Sequence, residues 1–382
     1  MEKICVVLTG GTICSLPDKN GKNQSNATIT STRLTDYYSQ ESNSPFRCDV
    51  EFDVKRLEPD ILSENMTVGA WDDLLKIFQT QINFDDYKGI IVLHGTDTLA
   101  YTSSFLSMAL AGIKIPVCMV SAQLRLGDYE KSEWVPNEKT NGYANFRASV
   151  ELIMNGILPN VYVVYRNEEN EQNGNHDPGE FLVHYGAHLL QCPNASNNFH
   201  SFDEMHIPDT TNARLEGKAF QTQNCLYQSV NGIKSEVLML RPYTNLNYDV
   251  INLESVKTVI HGTYHSESVC IGRIKDECRE DTKYIYSFEE IIEADQPYSI
   301  LYLLKRCAEK EIPVFLAPCD KNNAAYGTTA NALERGALYI ADITIEAAYA
   351  KAVLGCALGK QGSGLTEFLN KSINGEIKSK MG

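Results

Sequence analysis

Four short, continuously apolar runs constrain the fold of this chain more than any other feature. They occupy residues 4–8, 89–93, 115–120 and 160–165, and longer stretches with helical periodicity lie between them. A strand that is apolar throughout, rather than at alternate positions, is buried on both faces, as in a parallel sheet covered by helices. The order of strands and helices therefore predicts an α/β fold with βαβ connections.

The stretches between these runs carry the pattern of amphipathic helices. Residues 98–111 and 141–155 are predicted to be helical, and so is the segment after Thr67, a residue type that caps helix N-termini. In that segment the apolar residues recur every three or four positions and so share one helix face: Val68, Trp71, Leu75, Phe78 and Ile82. We therefore expect a larger N-terminal parallel-sheet domain with helices on both faces.

The length of the chain and a change of texture predict a second domain. With 382 residues, the chain suits two domains of roughly 150–200 residues each. Residues 167–231 are rich in Asn, Gly, Pro, Gln and His and have little periodicity, which is typical of loops and a linker. A second α/β pattern follows, with strands at 236–240, 256–261, 312–317 and 338–341 and helices at 298–310, 324–335 and 345–358. The predicted domains are residues 1–207 and a smaller C-terminal α/β domain, residues 234–382, joined by a linker at 208–233.

Charge and cysteine usage restrict the partners and the compartment. The formal net charge is −15, and a protein that binds nucleic acid or an anionic membrane needs a cationic surface instead. The 11 cysteines include no C-x-x-C pair, which indicates buried thiols in a reducing compartment. Neither a signal peptide nor an apolar stretch of ~20 residues is visible. We expect a cytoplasmic protein with a small-molecule partner, no nucleic acid and no membrane.

Small and polar residues follow three of the predicted strands. These segments are residues 9–13 (TGGTI), 94–98 (HGTDT) and 121–123 (SAQ). Ligands of open parallel sheets bind beyond the carboxyl ends of the strands, so the hydroxyls and the carboxylate are expected to converge there. The glycine spacing fits neither the dinucleotide fingerprint nor the P-loop, and no cofactor is expected.

The two threonine motifs resemble the signature motifs of the bacterial-type L-asparaginases. The longer second motif, residues 93–102, is similar to the cytoplasmic type I branch in particular, and further matches occur at 63–67, 141–145 and 326–333. The resemblance covers almost the whole chain. It implies an amidohydrolase that converts L-asparagine to L-aspartate and ammonia through a threonine nucleophile, as a homodimer or homotetramer.

The resemblance also implies a role for each matching residue. Thr12 is similar to the family's nucleophile and Thr96 to its second catalytic threonine. Asp97 would bind the α-ammonium group of the substrate with help from Glu64, and Ser63 would bind the α-carboxylate. A free amino acid presents one cation and one anion, and each needs a partner in a buried site.

Three further residues complete the predicted substrate site. Ala122 matches the position whose carbonyl accepts a hydrogen bond from the leaving amide. Gly11 and Gly95 lie in the two threonine motifs, and backbone N–H groups near Gly11 and Thr12 would stabilise the tetrahedral intermediate.

Two departures from the family pattern leave the activity open. Residues 14–30 contain no tyrosine where the family has one in a flexible loop, and the nearest are Tyr37 and Tyr38. Gln191 occupies the position at which the family's catalytic lysine is expected. A threonine hydroxyl is a weak nucleophile unless a neighbouring group activates it.

Three outcomes follow from the missing lysine and tyrosine. A different residue, such as His188 or His184, supplies the base; the enzyme is slow; or the substrate has changed. The alternative function is accordingly a degenerate or altered-specificity member that binds an amino-acid-like ligand with little asparaginase activity. Amidotransferase subunits share the fold, but the missing extra domain and the acidic charge count against that function.

Five histidines between residues 176 and 206 raise the question of a metal site. His184 and His188 are four residues apart, which on a helix would place both on one face. Gly186 makes a helix there doubtful, and no carboxylate completes a familiar ligand motif. No metal is therefore expected at the group: His176, His184, His188, His200 and His206.

Overall fold

Strands and the helices between them form the framework of the chain. The structure, a computed structural model, describes residues 1–17, 20, 22–130, 133–168, 181–194, 196–207, 213–217, 225–278, 285–319 and 326–378. The strands are β1 Glu2–Gly10, β2 Ser15–Pro17, β3 Asn23–Ser25, β4 Val50–Ile61, β5 Gly89–Leu93, β6 Val117–Val120, β7 Gly127–Glu130, β8 Glu133–Pro136, β9 Val161–Arg166, β10 Phe181–Tyr185, β11 Met205–Ile207, β12 Val237–Leu240, β13 Thr258–His261, β14 Val314–Leu316 and β15 Leu338–Tyr339. The α-helices are α1 Ala27–Gln40, α2 Val68–Thr80, α3 Leu99–Ala109, α4 Gly142–Met154, α5 Ile300–Ala308, α6 Gly327–Glu334, α7 Ile345–Ala357 and α8 Gly362–Asn370.

The chain divides into two units, Met1–Gly232 and Ile233–Gly382. In the first, seven strands form one sheet in the order β11-β10-β9-β6-β5-β1-β4. The strands from β9 to β4 run parallel, whereas β10 and β11 add an antiparallel edge. The structure thus confirms the predicted α/β class, with a sheet that is mostly parallel.

The strand order reverses at β1, and this reversal creates a crevice. The chain leaves β1 for β4 on one side and then returns to β5 on the other. Successive crossovers of the same hand that run in opposite directions place their helices on opposite faces of the sheet. The loops after β1 and β5 therefore lead to helices on opposite faces of the sheet, and such a switch point is where open α/β sheets bind ligands.

Helices cover both faces of the large sheet. On one face, Leu34 and Tyr38 of α1 and Phe146 of α4 pack with Val6 and the residues that alternate with it along β1. The other helix pair is α2 and α3. It is joined by Trp71 of α2, whose Nε1 donates to Thr102 Oγ1 of α3 at 3.0 Å. Both β5-α3-β6 and β6-α4-β9 cross in the same direction, yet α4 shares its face with α1. The α4 crossover therefore has the opposite hand to the others.

The predicted elements of the first unit agree well with the observed ones. The helix after Thr67 is α2, and Thr67 caps it by accepting the Ala70 N–H at 3.3 Å. Of its predicted apolar face, Trp71, Leu75 and Phe78 are buried in the helix, while Ile82 is buried beyond its end.

The interpretation of residues 167–231 as loops and linker was wrong in two places. Strands β10 and β11 lie within this segment and pair with each other in antiparallel register. They are short and are separated by irregular chain, so no periodicity marks them in the sequence. β10 matters for function because the residues after it reach the candidate site.

The second unit is built around a four-stranded parallel sheet in the order β12-β13-β14-β15. Its strands and helices match the predicted positions with shorter bounds, and residues 324–325 of one predicted helix lie outside the described residues. A buried ion pair fixes the C-terminal segment, since Lys351 Nζ lies 2.6 Å from Glu376 Oε1. None of the described helices has the length and apolar character to cross a membrane.

Candidate active site

Two glycines bring the threonine motifs into contact. Gly11, in the turn after β1, has a φ of 81°, which residues with a side chain rarely adopt. A Cβ atom at Gly11 would lie 2.2 Å from Gly95 Cα, and one at Gly95 would lie 2.9 Å from Gly11 Cα. The two backbones therefore touch. Thr12 and Thr96, the next residues in each motif, therefore directly follow this contact at the carboxyl ends of β1 and β5.

Hydrogen bonds fix the loop that carries Thr12. Thr9 Oγ1 donates to Leu93 O at 2.9 Å and so joins the ends of β1 and β5. Thr12 then opens a one-turn 3-10 helix and is half-buried. The Gly11 N–H donates to Ile61 O at 2.9 Å, so this N–H is already engaged within the protein.

Ser63 connects the end of β4 to the second threonine motif. It is 3% exposed and begins a 3-10 helix directly after β4. Its hydroxyl lies 3.0 Å from Asp97 Oδ2 and 3.3 Å from the Asp97 N–H. Thr98 Oγ1 donates to Ser63 O at 2.9 Å. The structure thus places Ser63 beside Asp97, with the exposed side chain of Glu64 next in the chain.

The carboxylate of Asp97 is exposed to solvent, and Thr96 is half-buried. From the sequence we expected the partner of the substrate ammonium group to lie in a buried pocket, and the structure differs in this respect. Charge interactions at an exposed carboxylate are weakened by water. The contribution of Asp97 to binding is therefore expected to lie at the low end of the range for charged hydrogen bonds.

Two asparagines hold the loop that contains Ala122. Asn145 Nδ2 donates to the carbonyl of the residue before Ala122 at 2.9 Å, and Asn141 Oδ1 accepts the N–H of the residue after it at 3.0 Å. Both asparagines also bond to the backbone of Arg166 at the end of β9, each at 2.8 Å. The buried Ala122 is therefore fixed beside the ends of β6 and β9.

A cavity of about 320 Å³ opens beside Thr96 and Asp97. Gln191 belongs to its wall, whereas Thr12, Ser63, Ala122 and His188 are not part of the described lining. The lining consists of Thr96, Asp97, Tyr165, Gln191, Cys192, Pro193, Asn194, Ser196, Asn197 and Phe199.

Gln191 belongs to the same cavity wall as the second threonine motif. It follows β10 and a 3-10 helix, Gly186–His188, and its half-buried side chain shares the cavity with Thr96 and Asp97. A neutral amide therefore stands in the wall of the candidate site at the position predicted for a lysine.

His188 is buried away from the cavity wall. Its ring stacks on Phe202 with a centroid distance of 4.1 Å, and its Nδ1 lies 3.5 Å from Asp203 Oδ2. The His188 ring also contacts the ring of Tyr185 in an edge-to-face arrangement. None of these three residues lines the cavity. Gln191 shares the cavity wall with Thr96, whereas His188 is not part of the described lining.

Other histidines near the site are held neutral by burial. His184 belongs to β10 and its Nδ1 lies 2.9 Å from Ser201 Oγ; burial lowers its pKa to about 3. Burial likewise lowers the pKa of His94, at the start of the second motif, to about 4. Within the described part of the chain no cluster of His, Cys, Asp or Glu is arranged to hold a metal ion, and His176 lies outside the described residues.

The two tyrosines nearest to the first threonine belong to α1. Tyr38 is fully buried, and its hydroxyl lies 2.9 Å from Ser44 Oγ. The ring of Tyr37 packs on that of Tyr143 at a centroid distance of 4.4 Å. Both rings are thus engaged in packing within the α1–α4 layer.

Sequence reasoning missed the residues that form the rest of the cavity wall. Tyr165 was assigned only to a buried strand, and residues 192–199 lie in the segment interpreted as irregular. No motif marks them, because they reach the site through the antiparallel turn after β10. A Tyr at the end of a predicted strand, next to the other strand ends, was the one signal available.

Comparison with known proteins agrees with the motifs. A family model described as "Asparaginase, N-terminal" matches residues 3–223. L-asparaginase 1 of Escherichia coli (strain K12) is 35% identical over 78 residues, which are 20% of this chain and 22% of that protein. The match therefore spans about a fifth of the length of that relative.

Two longer similarities extend across the chain. A component of the glutamyl-tRNA(Gln) amidotransferase of Methanosphaera stadtmanae is 22% identical over 392 residues, covering 98% of this chain and 77% of that protein. The thermostable L-asparaginase from Thermococcus kodakarensis has the same fold, with a TM-score of 0.67, 19% identity, and coverage of 99% of this chain and 100% of that one. Because the family model matches more than half of the chain, on both threonine motifs and the loop of Ala122, this protein belongs to the asparaginase family.

Proposed function

We propose that this protein is an amidohydrolase that converts L-asparagine to L-aspartate and ammonia through a threonine nucleophile. The observation that carries the proposal is the contact between Gly11 and Gly95, because Thr12 and Thr96 are the next residues along the two loops that meet there. The hydrogen bond between Ser63 and Asp97 supports it, since it places a hydroxyl and a carboxylate beside the two threonines.

The proposed reaction begins with binding of the amino-acid end. Asp97 accepts hydrogen bonds from the α-ammonium group, and Ser63 turns its hydroxyl from Asp97 to the α-carboxylate. Asp97 thus stabilises the positive charge of the substrate, and Ser63 stabilises its negative charge. Glu64 adds a second negative charge near the ammonium group.

Thr12 is assigned the nucleophilic attack. Its hydroxyl oxygen adds to the amide carbon, and the C–N bond breaks as its electron pair and the hydroxyl proton leave with ammonia. Water then replaces the threonine oxygen, which releases aspartate. Because the Gly11 N–H is bonded to Ile61 O, the Thr12 N–H is the proposed donor to the oxyanion. The Ala122 carbonyl accepts a hydrogen bond from the leaving nitrogen.

One observation favours the alternative of low asparaginase activity. Gln191 lies in the cavity with Thr96, and an amide can donate a hydrogen bond but cannot take up a proton at neutral pH. A member with altered specificity would keep Ser63 and Asp97 for an amino-acid-like ligand and turn over slowly. The similarity to a glutamyl-tRNA(Gln) amidotransferase component makes glutamine the second amide to test.

Oligomeric state and compartment remain part of the same proposal. The family resemblance supports a homodimer or homotetramer, which sedimentation analysis of the full chain tests. None of the 11 cysteines, all of which lie in the described part of the chain, forms a disulfide bond, as expected of a cytoplasmic protein. The net charge of −15 supports a small-molecule partner rather than nucleic acid or an anionic membrane.

The proposed function is tested by ammonia release. Purified protein is incubated with L-asparagine, L-glutamine and succinamic acid, which lacks the α-ammonium group. We expect release from asparagine, less from glutamine and least from succinamic acid. Binding of aspartate without ammonia release from any amide would favour the ligand-binding alternative. If the protein neither bound aspartate nor released ammonia, the proposal would be refuted.

Asp97→Asn is expected to weaken binding of L-aspartate about tenfold. The variant loses a charged hydrogen bond worth roughly 1.5 kcal/mol, at the low end of the range because the carboxylate is exposed. Calorimetry with L-aspartate and with succinate, which lacks the ammonium group, measures the effect. Equal losses for the two ligands would show that Asp97 does not contact the ammonium group.

Gly95→Ala is expected to abolish activity by separating the threonine motifs. Its Cβ would lie 2.3 Å from Ser63 Oγ and 2.9 Å from Gly11 Cα, so the loops must move apart. Gly69→Ala is the matched control, because a Cβ there meets only Thr67 Oγ1 at 3.5 Å and alanine favours a helix. Ammonia release by the Gly95→Ala variant at the wild-type rate would contradict the contact between the motifs.

A further inference from the structure

The cavity extends from the second threonine motif in one direction across the sheet. Thr96 and Asp97 follow β5, Tyr165 belongs to β9, and Gln191 follows β10, while β6 lies between β5 and β9. In the proposed reaction, the amino-acid end of the substrate binds at Asp97, and the leaving nitrogen faces Ala122 at the end of β6. The cavity therefore continues past the leaving nitrogen, on the side away from the ammonium group.

The cavity is larger than a free asparagine requires. A volume of about 320 Å³ corresponds to roughly ten water molecules at about 30 Å³ each. The nine non-hydrogen atoms of asparagine are covalently bonded and occupy well under nine water volumes. Space remains for a group attached to the leaving nitrogen.

The far wall of the cavity is held in place by its own hydrogen bonds. Cys192 Sγ lies 3.1 Å from Ser196 O and 3.3 Å from Asn198 O, which closes the loop. Asn167 bonds both backbone groups of Phe199, at 2.9 and 3.0 Å. These hydrogen bonds fix the positions of the described residues of the wall.

The chemistry of this wall suits a neutral, polar group. Asn194, Ser196 and Asn197 offer hydroxyl and amide groups, and in the described lining the one charged side chain is Asp97. The ring of Phe199 packs edge-on against Tyr165 at 4.8 Å. The hydroxyl of Tyr165 is buried, lies near Asn141, and makes no hydrogen bond within 3.5 Å to the described residues. A buried hydroxyl in a cavity wall indicates a polar ligand or water there.

We propose that the site accepts β-amides of aspartate whose nitrogen carries a neutral, hydrogen-bonding substituent, so that the leaving group is an amine larger than ammonia. This inference rests on the proposed function, since it uses the same threonine and the same ammonium partner. A carboxylate in the substituent is disfavoured, because no described cation lines the cavity and Asp97 is negative.

The bond changes are those of the proposed reaction with an amine as the leaving group. The Thr12 oxygen adds to the amide carbon, and the C–N bond breaks with its electron pair remaining on nitrogen. The nitrogen takes up the proton that was on the threonine hydroxyl and leaves as the neutral amine. Water then replaces the threonine oxygen, so that aspartate is released and the hydroxyl is restored.

Two substituted amides of equal size test the inference. β-Aspartyl-glycinamide and β-aspartyl-glycine differ only in whether the extension is neutral or anionic. Aspartate release is measured for both and for L-asparagine with the intact protein. We expect a kcat/KM for the glycinamide compound no lower than that for asparagine, and at least tenfold above that for the glycine compound.

Asn194→Trp tests whether the substituent lies in the cavity. Asn194 is an exposed part of the wall, so an indole there fills space without disturbing the core. The ratio of kcat/KM for β-aspartyl-glycinamide to that for asparagine should fall at least tenfold. Val250→Trp is the control, because Val250 is 79% exposed and is not among the described lining residues, and it should leave both rates unchanged.

The outcomes separate the two proposals. Release of aspartate from asparagine, with none from β-aspartyl-glycinamide, would overturn the larger leaving group and leave the proposed function standing. A ratio unaffected by Asn194→Trp, or equal rates for the two substituted amides, would also overturn it. Aspartate release from the glycinamide compound alone would support the cavity and refute asparagine as substrate, and no release from any compound would refute both.

Discussion

Thr12→Ala and Thr96→Val are each expected to lower kcat for ammonia release from L-asparagine by at least about 10³-fold, as loss of a nucleophile or of its partner does. Neither change should unfold the protein. Both threonines are half-buried on loops at strand ends, and the glycine contact that joins the loops involves neither side chain. Thermal unfolding of each variant checks this, and stability should match the wild type within about 1 kcal/mol.

Thr80→Val is the matched control for these variants. Thr80 is exposed in the last turn of α2, so the same loss of a hydroxyl should leave the rate unchanged. If Thr12→Ala or Thr96→Val retained the wild-type rate at equal stability, that threonine would have no part in the chemistry. An intact rate in both variants would refute threonine catalysis in this protein.

Gln191→Lys is expected to raise the rate at neutral pH by about 10²-fold or more. The structure places Gln191 in the same cavity as Thr96, so a lysine there would offer a cation and a proton-transfer group to the threonine. A positioned acid–base group contributes typically about 10²–10⁴-fold. Rates of ammonia release between pH 6 and pH 9, compared for variant and wild type, measure the gain.

Gln191→Met and His188→Ala complete the test. Methionine removes the amide without adding a charge, so it should not raise the rate. If His188 were the base instead, His188→Ala would be the damaging change. We expect His188→Ala to reduce stability more than rate, because its ring packs on Phe202 and Tyr185. No gain in Gln191→Lys would show that the missing lysine does not limit activity.

The sequence was most informative for strands that are buried on both faces of the sheet. β5 and residues 4–8 of β1 are buried on both faces, so these residues are apolar apart from Gly89 and the strands are plain to read. The same holds for α2, whose cap at Thr67 and buried stripe agree with the structure. The two threonine motifs follow such strands, and their meeting could therefore be predicted.

Elements with little buried surface were not predicted. β4 is the last strand of its sheet, and its residues are mostly polar and partly exposed. α1 has a weak apolar stripe, in which Leu34 and Tyr38 are the large buried residues. Neither pattern stands out from loop sequence, because the apolar residues are too few.

The cavity wall was out of reach for a different reason. Tyr165 and Phe199 are far apart in the chain and meet only because β10 pairs with β9 in antiparallel register. Asn167 then holds the returning loop. Tertiary pairing of this kind leaves no spacing in the sequence, so the family resemblance around residues 184–191 was what indicated that this segment reaches the site.

A crystal structure of the wild-type protein soaked with L-aspartate tests the central claim most directly. The claim predicts an aspartate with its ammonium group on Asp97, its α-carboxylate at Ser63, and its side-chain carboxylate within about 3 Å of the hydroxyls of Thr12 and Thr96. An ordered aspartate bound elsewhere in the chain, or a site that remains empty of aspartate at saturating concentration, would contradict it.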